Sequence, residues 1–192
     1  MKINRRMIIV GTAAGGAALA LGMIPVLIDG RTEHVSPGEA RHRDVPLRTL
    51  TLDDAAILDR LGEALLPGAA EAGFVHYIDH HVSVPAAESF LIARYLDVPP
   101  PYSDFYRSGL AALDAHSVAA HKQRFTDLSL ATARGLVASL MAAPLSNWRG
   151  PPAPLFYFVT RADALDVMYG TMAGFEQLGV PYMAHIDPER PW

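Results

Sequence analysis

The sequence predicts an all-α protein: a small irregular helical bundle with an N-terminal export or anchor helix and an extended C-terminal arm. Three observations carry that class. From Leu50 onward, apolar residues recur every three or four positions in one run after another, the spacing of amphipathic helices. Proline or glycine stops most of these runs. Outside one short stretch at Leu155, no segment alternates apolar and polar residues as half-buried strands do, and no internal repeat is present. With 192 residues, 51% hydrophobic and 19% charged, the chain can bury one domain-sized core.

Residues 1–29 form the first unit. Lys2, Arg5 and Arg6 precede an apolar run from Met7 to Ile28. At about 22 residues, the run is long enough to cross a bilayer core of roughly 30 Å. Its Gly- and Ala-rich middle inserts weakly, and the pair Arg5-Arg6 ahead of so mild a core is the mark of twin-arginine export. No clean small-residue cleavage site stands near residue 30, so a cleaved signal and an uncleaved anchor are both open. Residues 30–49, polar and holding Pro37, Gly38, Pro46 and the cluster Arg41-His42-Arg43, read as a linker.

The helical domain spans residues 50–170. Thr51 with Asp54 three residues on makes a capping box for a first helix, which Pro67-Gly68 ends. A second helix is expected from Glu71 to about Val82 and a third from Ala86 to Leu96, stopped by Pro99-Pro100-Pro101. A fourth runs from Ser103-Asp104 to about Lys122, and a fifth from Ser129 to Ala142. After a proline-rich break at 144–154 comes a sixth from about Leu155 to Tyr169, whose β-branched and aromatic first turn leaves a short strand as the alternative. The arm, 171–192, is broken by Gly174, Gly179 and Pro181, yet Tyr169, Phe175, Tyr182, Met183 and Trp192 make it and its approach apolar and aromatic. A glycine-broken apolar tail needs a surface to lie on, either its own domain or a partner.

Composition excludes several classes. A net charge of −4 argues against nucleic acid as partner, because phosphate binding needs clustered Lys and Arg. The absence of cysteine removes disulfides, thiolate metal sites, iron–sulfur clusters and a cysteine nucleophile. No glycine-rich nucleotide loop follows a strand, and Ser108 lacks the glycine-flanked elbow of a nucleophile.

Four features together resemble the small subunit, subunit 3, of gluconate 2-dehydrogenase and related membrane-associated flavin dehydrogenases. They are the twin-arginine start, Leu50-Thr51 through Leu65-Leu66-Pro67-Gly68 with Val75-His76-Tyr77-Ile78-Asp79 after it, Tyr106 to Asp114 with Phe125-Thr126-Asp127-Leu128-Ser129, and the tail from Tyr169-Gly170-Thr171 to His185-Ile186. The resemblance implies a role without a reaction. The small subunit carries no cofactor and no catalytic residues. It assists folding and export of an FAD-containing large subunit of the GMC type and stays bound to it, and a cytochrome c subunit often takes the electrons onward. The complex is periplasmic and membrane-associated. On that reading Arg5 and Arg6 direct export, while Tyr169, Phe175, Tyr182, His185 and Trp192 meet the partner.

One cluster offers rival chemistry. His76 and His80 are four apart and could face one metal from one helix, with Asp79 or His81 adding a donor. The Glu of a metalloprotease helix is missing. Histidines on a partly exposed helix, with Asp79 as a cap or ion-pair partner, explain the pattern more simply. The alternative function is an independent periplasmic metal-binding protein or metalloenzyme.

Overall fold

The computed structural model describes residues 23–28, 30–142, 145 and 147–179. These residues form a mainly helical domain, as expected, together with one feature the sequence reading did not contain. Ile24–Ile28 (β1) and Arg31–Val35 (β2) pair as an antiparallel hairpin, with Ile24 opposite Val35 and Ile28 opposite Arg31. Gly30, at φ +79°, supplies the left-handed backbone that a tight hairpin turn requires. The end of the presumed export run is therefore a strand, and the presumed linker holds regular structure. Within it, Pro37–His42 (α1) is capped by Ser36, whose hydroxyl accepts the Glu39 N–H.

Leu52–Leu65 (α2) lies at the centre of the bundle. Its capping box is present: Thr51 Oγ1 accepts from Asp54 N–H, and the Asp54 carboxylate accepts from Thr51 N–H. One apolar stripe, Ile57, Leu58, Leu61 and Ala64, faces the core. Around α2 pack Phe74–Ser83 (α3), Tyr102–His121 (α5), Leu130–Ser139 (α6) and Ala153–Tyr169 (α7). Phe74, Tyr106, Leu113, Phe125 and Phe156 are fully buried among them.

Several boundaries differ from expectation for identifiable reasons. The second helix starts at Phe74, not Glu71, because Gly73 sits at φ +87° and ends the turn before it. The expected third helix is divided into a 3₁₀ turn, Ala86–Glu88, and one helical turn, Ile92–Tyr95 (α4). The first turn of α7 is helical rather than extended. Proline at its start suits a helix N-terminus, and Phe156, Val159, Ala164 and Val167 all reach the core at helical spacing. In the arm, Thr171 caps a short helix, Met172–Gln177 (α8), which packs on α7.

Two separate hydrophobic cores result. The larger fills the bundle. The smaller consists of Ile24, Val26, Val35, Ala40 and Val45 and joins the hairpin to α1. α1 in turn rests on α3.

Candidate functional site

α7 is apolar on both sides. Its inner face, Phe156, Val159, Ala164 and Val167, is buried. Phe158 points outward and is 55% exposed, and Ala162, Leu165 and Tyr169 follow at half-buried positions on the same stripe, spaced four, three and four residues apart. A helix apolar around its circumference normally has neighbours on all sides. At its end, Gly170 closes the last turn through its N–H to Asp166 O at 2.8 Å. The chain then turns through Thr171 into α8, bringing half-buried Phe175 to the same end of the bundle as Tyr169. Leu178 follows, 54% exposed. Along the flank of α7, α4 presents Tyr95, 62% exposed, and the Arg94 guanidinium lies over the Tyr95 ring. Exposed apolar side chains grouped on neighbouring elements mark surfaces that meet other molecules. Of the residues the sequence assigns to a partner, Tyr169 and Phe175 thus lie together. Tyr182, His185 and Trp192, like Arg5 and Arg6, fall outside the described residues.

The α4 and α7 elements are joined by a buried carboxylate that the sequence reading did not single out. Asp163 accepts the Ile92 N–H at 3.0 Å and the Tyr106 hydroxyl at 2.5 Å. One acidic side chain therefore ties together the start of α4, the amino-terminal part of α5 and the second half of α7. Burial pushes its pKa up to about 7, opposed by the two hydrogen bonds and reinforced by Asp166. The folded state therefore holds this proton more tightly than the unfolded chain between the ordinary carboxylate range and about pH 7. The stabilisation is complete below that window and is lost as pH rises through about 7. In urea denaturation at about pH 5 and about pH 8, the wild type should lose more than about 1 kcal/mol relative to Asp163→Asn on going to the higher pH. Equal pH dependence in the two proteins would refute the assignment.

His80 and His81 are buried and His76 half-buried, which corrects the expectation of a partly exposed helix for the first two. Asp79, His80 and His81 are all under 5% exposed: the 48–50 segment lies on Asp79, Ile24 and Val26 of the hairpin lie near His80, and Phe90 packs on His81. Asp79 does serve as a cap: one carboxylate oxygen accepts the Arg48 N–H at 2.7 Å, and the other accepts those of Thr49 and Leu50 at 2.9 and 2.8 Å. Both oxygens are thereby engaged by backbone. His76 Nε2 meets Val45 O at 3.0 Å, and His80 Nδ1 lies 3.4 Å from the Arg48 guanidinium. His81 Nδ1 accepts from Phe90 N–H at 3.4 Å, and its ring stands edge-on to Tyr77 and Phe90. Desolvation lowers the pKa of His80 to about 4, helped by Arg48, and that of His81 to about 3, helped by His80. Both are neutral near pH 7. A fixed cation beside His80 opposes a second one, and among the described residues no group of three potential ligands converges on a point. The metal reading gains no donor set from the fold.

Within the described residues, then, Asp79, His81 and Asp163 are engaged in holding the bundle together, while apolar side chains of α4, α7 and α8 face outward. This arrangement defines an associating module. The family model of gluconate 2-dehydrogenase subunit 3 matches residues 53–185, and the chain belongs to that family. It is accordingly a subunit of a multi-subunit dehydrogenase. No curated protein and no solved structure matches the chain.

Proposed function

We propose that this chain is the cofactor-free small subunit of an exported flavin-dependent dehydrogenase, assisting the folding and export of an FAD-containing, GMC-type large subunit and remaining bound to it. The twin-arginine pair Arg5-Arg6 carries the assembly to the periplasm, where it is membrane-associated, and a cytochrome c subunit, which often takes the electrons onward in this family, is a candidate further partner. Substrate oxidation takes place on the large subunit. Family membership over residues 53–185 carries this reading. The outward apolar stripe of α7 supports it, because a helix apolar on the face opposite the core normally has a further neighbour there.

Affinity capture of the tagged chain from membranes of its own cells tests the proposal. A flavin-containing oxidoreductase should be recovered in stoichiometric amount; a chain recovered alone, as a soluble monomer, would count decisively against it. Phe158→Asp combined with Tyr169→Asp should reduce recovery by about tenfold or more, as expected when a buried aromatic anchor is replaced by a charge. Phe158 is exposed and Tyr169 half-buried in the isolated domain, so Phe158→Asp alone should leave its urea midpoint near that of the wild type while still lowering recovery.

A further inference from the structure

The fold divides the apolar run Met7–Ile28, which by sequence is one segment. Its last five residues are β1, paired along their whole length with β2. Ile24 and Val26 are 5% and 2% exposed and pack with Val35, Ala40 and Val45. Pro25 O accepts the Arg48 Nη2–H at 2.7 Å, and the backbone of Arg48 is itself held by Asp79. α1, which follows the hairpin, lies with Pro37 directly against Gly73. The hairpin is thus fastened by strand pairing, by a small core and by a hydrogen bond into the bundle.

A cut at the end of the apolar run, after residue 28 or 30, would remove β1. It would leave β2 unpaired, bare the small core and strip the Arg48 guanidinium of its acceptor. Processing consistent with this fold must lie ahead of Ile24. The apolar sequence left upstream, residues 7–23, lies at the short limit of about 17–25 residues for a membrane span and is rich in weakly inserting Gly and Ala. Immediately ahead of the hairpin the sequence reads Ala18-Leu19-Ala20-Leu21. Ala18 and Ala20 provide the two small residues, one position apart, that a signal peptidase accepts on the amino side of its cut. The apolar stretch before them, Met7–Ala17, falls within the roughly 7–15 residues of a signal core.

We propose that the export segment is removed by hydrolysis of the Ala20–Leu21 peptide bond. Water supplies the hydroxyl of the new Ala20 carboxyl group and a proton of the new Leu21 amino group. The mature protein begins three residues before β1 and keeps the hairpin as its first structural element. This inference rests on the reading of the chain as an exported protein.

The full chain with a C-terminal tag, expressed in a bacterium that has the twin-arginine route, tests it by fractionation and intact mass. The exported fraction should carry the mass of residues 21–192, and Ala18→Gln with Ala20→Gln should make unprocessed chain accumulate. Exported protein that keeps residue 1, or that begins after Ile24, would overturn the cleavage site while leaving export intact. Wild-type chain held in the cytoplasm at full length, indistinguishable from Arg5→Lys with Arg6→Lys, would overturn the export reading and this inference with it.

Discussion

Asp79→Ala should destabilise the domain by about 3–5 kcal/mol, as the loss of a charged acceptor shared by several donors implies. The three N–H groups it holds belong to consecutive residues, Arg48, Thr49 and Leu50, immediately ahead of the Thr51 cap of α2. Leu50 is buried, so water cannot replace the carboxylate without opening the core there. Freed of its anchor, this segment also loses its hold on Arg48, and with it the link to Pro25. Asp79→Asn keeps one acceptor oxygen and should fall between wild type and alanine. Urea denaturation of the three proteins checks the order. If alanine and asparagine proved equally mild, the carboxylate would be dispensable to this corner of the fold.

Gly73→Ala is expected to cost about 2–5 kcal/mol, combining left-handed strain with overpacking. A methyl group at residue 73 would stand 2.1 Å from the Pro37 carbonyl carbon and 2.4 Å from Gly38 N, at a φ of +87°. The atoms it meets are backbone, so no side-chain rotation relieves the clash and α1 must move away from α3. The urea midpoint should drop sharply. A variant as stable as the wild type would mean that α1 does not rest against Gly73.

The helices were legible where local chemistry decides them. Thr51 and Asp54 announced α2, the fifth helix begins near its expected start, with Ser129 capping α6 by accepting the Thr132 N–H, and α5 starts one residue before its expected position at Ser103. The hairpin was missed although its signals were present: Asp29-Gly30 separates two five-residue stretches, and Ser36-Pro37 with Glu39 three residues after Ser36 marks the start of α1. A continuous apolar run behind two arginines concealed β1, because periodicity cannot separate the end of an export segment from a buried strand. The burial of His80 and His81 and the role of Asp163 were beyond local reading. Each depends on partners far along the chain, such as Arg48 for His80 and Tyr106 for Asp163. Tyr169 and Phe175 drew attention in the sequence because aromatic residues around glycine breaks are a local signal, and the fold places them at one end of the bundle. The outward position of Phe158 was not legible, since the sequence shows that α7 is apolar but not which side lies outside.

The division into two cores has a dynamic consequence. The hairpin, α1 and Val45 bury five apolar side chains in a core separate from the larger one, so the free energy of opening them as a unit is expected to lie below that of global unfolding. Amide hydrogen exchange should therefore be faster in Ile24–Val35 than in Leu58–Leu61. Detachment also returns His80 to water, since its imidazole lies beside Ile24 and Val26. Its folded pKa, about 4, is below the ordinary 6.5, so the closed form is favoured fully above about pH 6.5 and loses ground as pH falls toward 4. Acidification should thus loosen the amino-terminal flap while the bundle beneath it still holds.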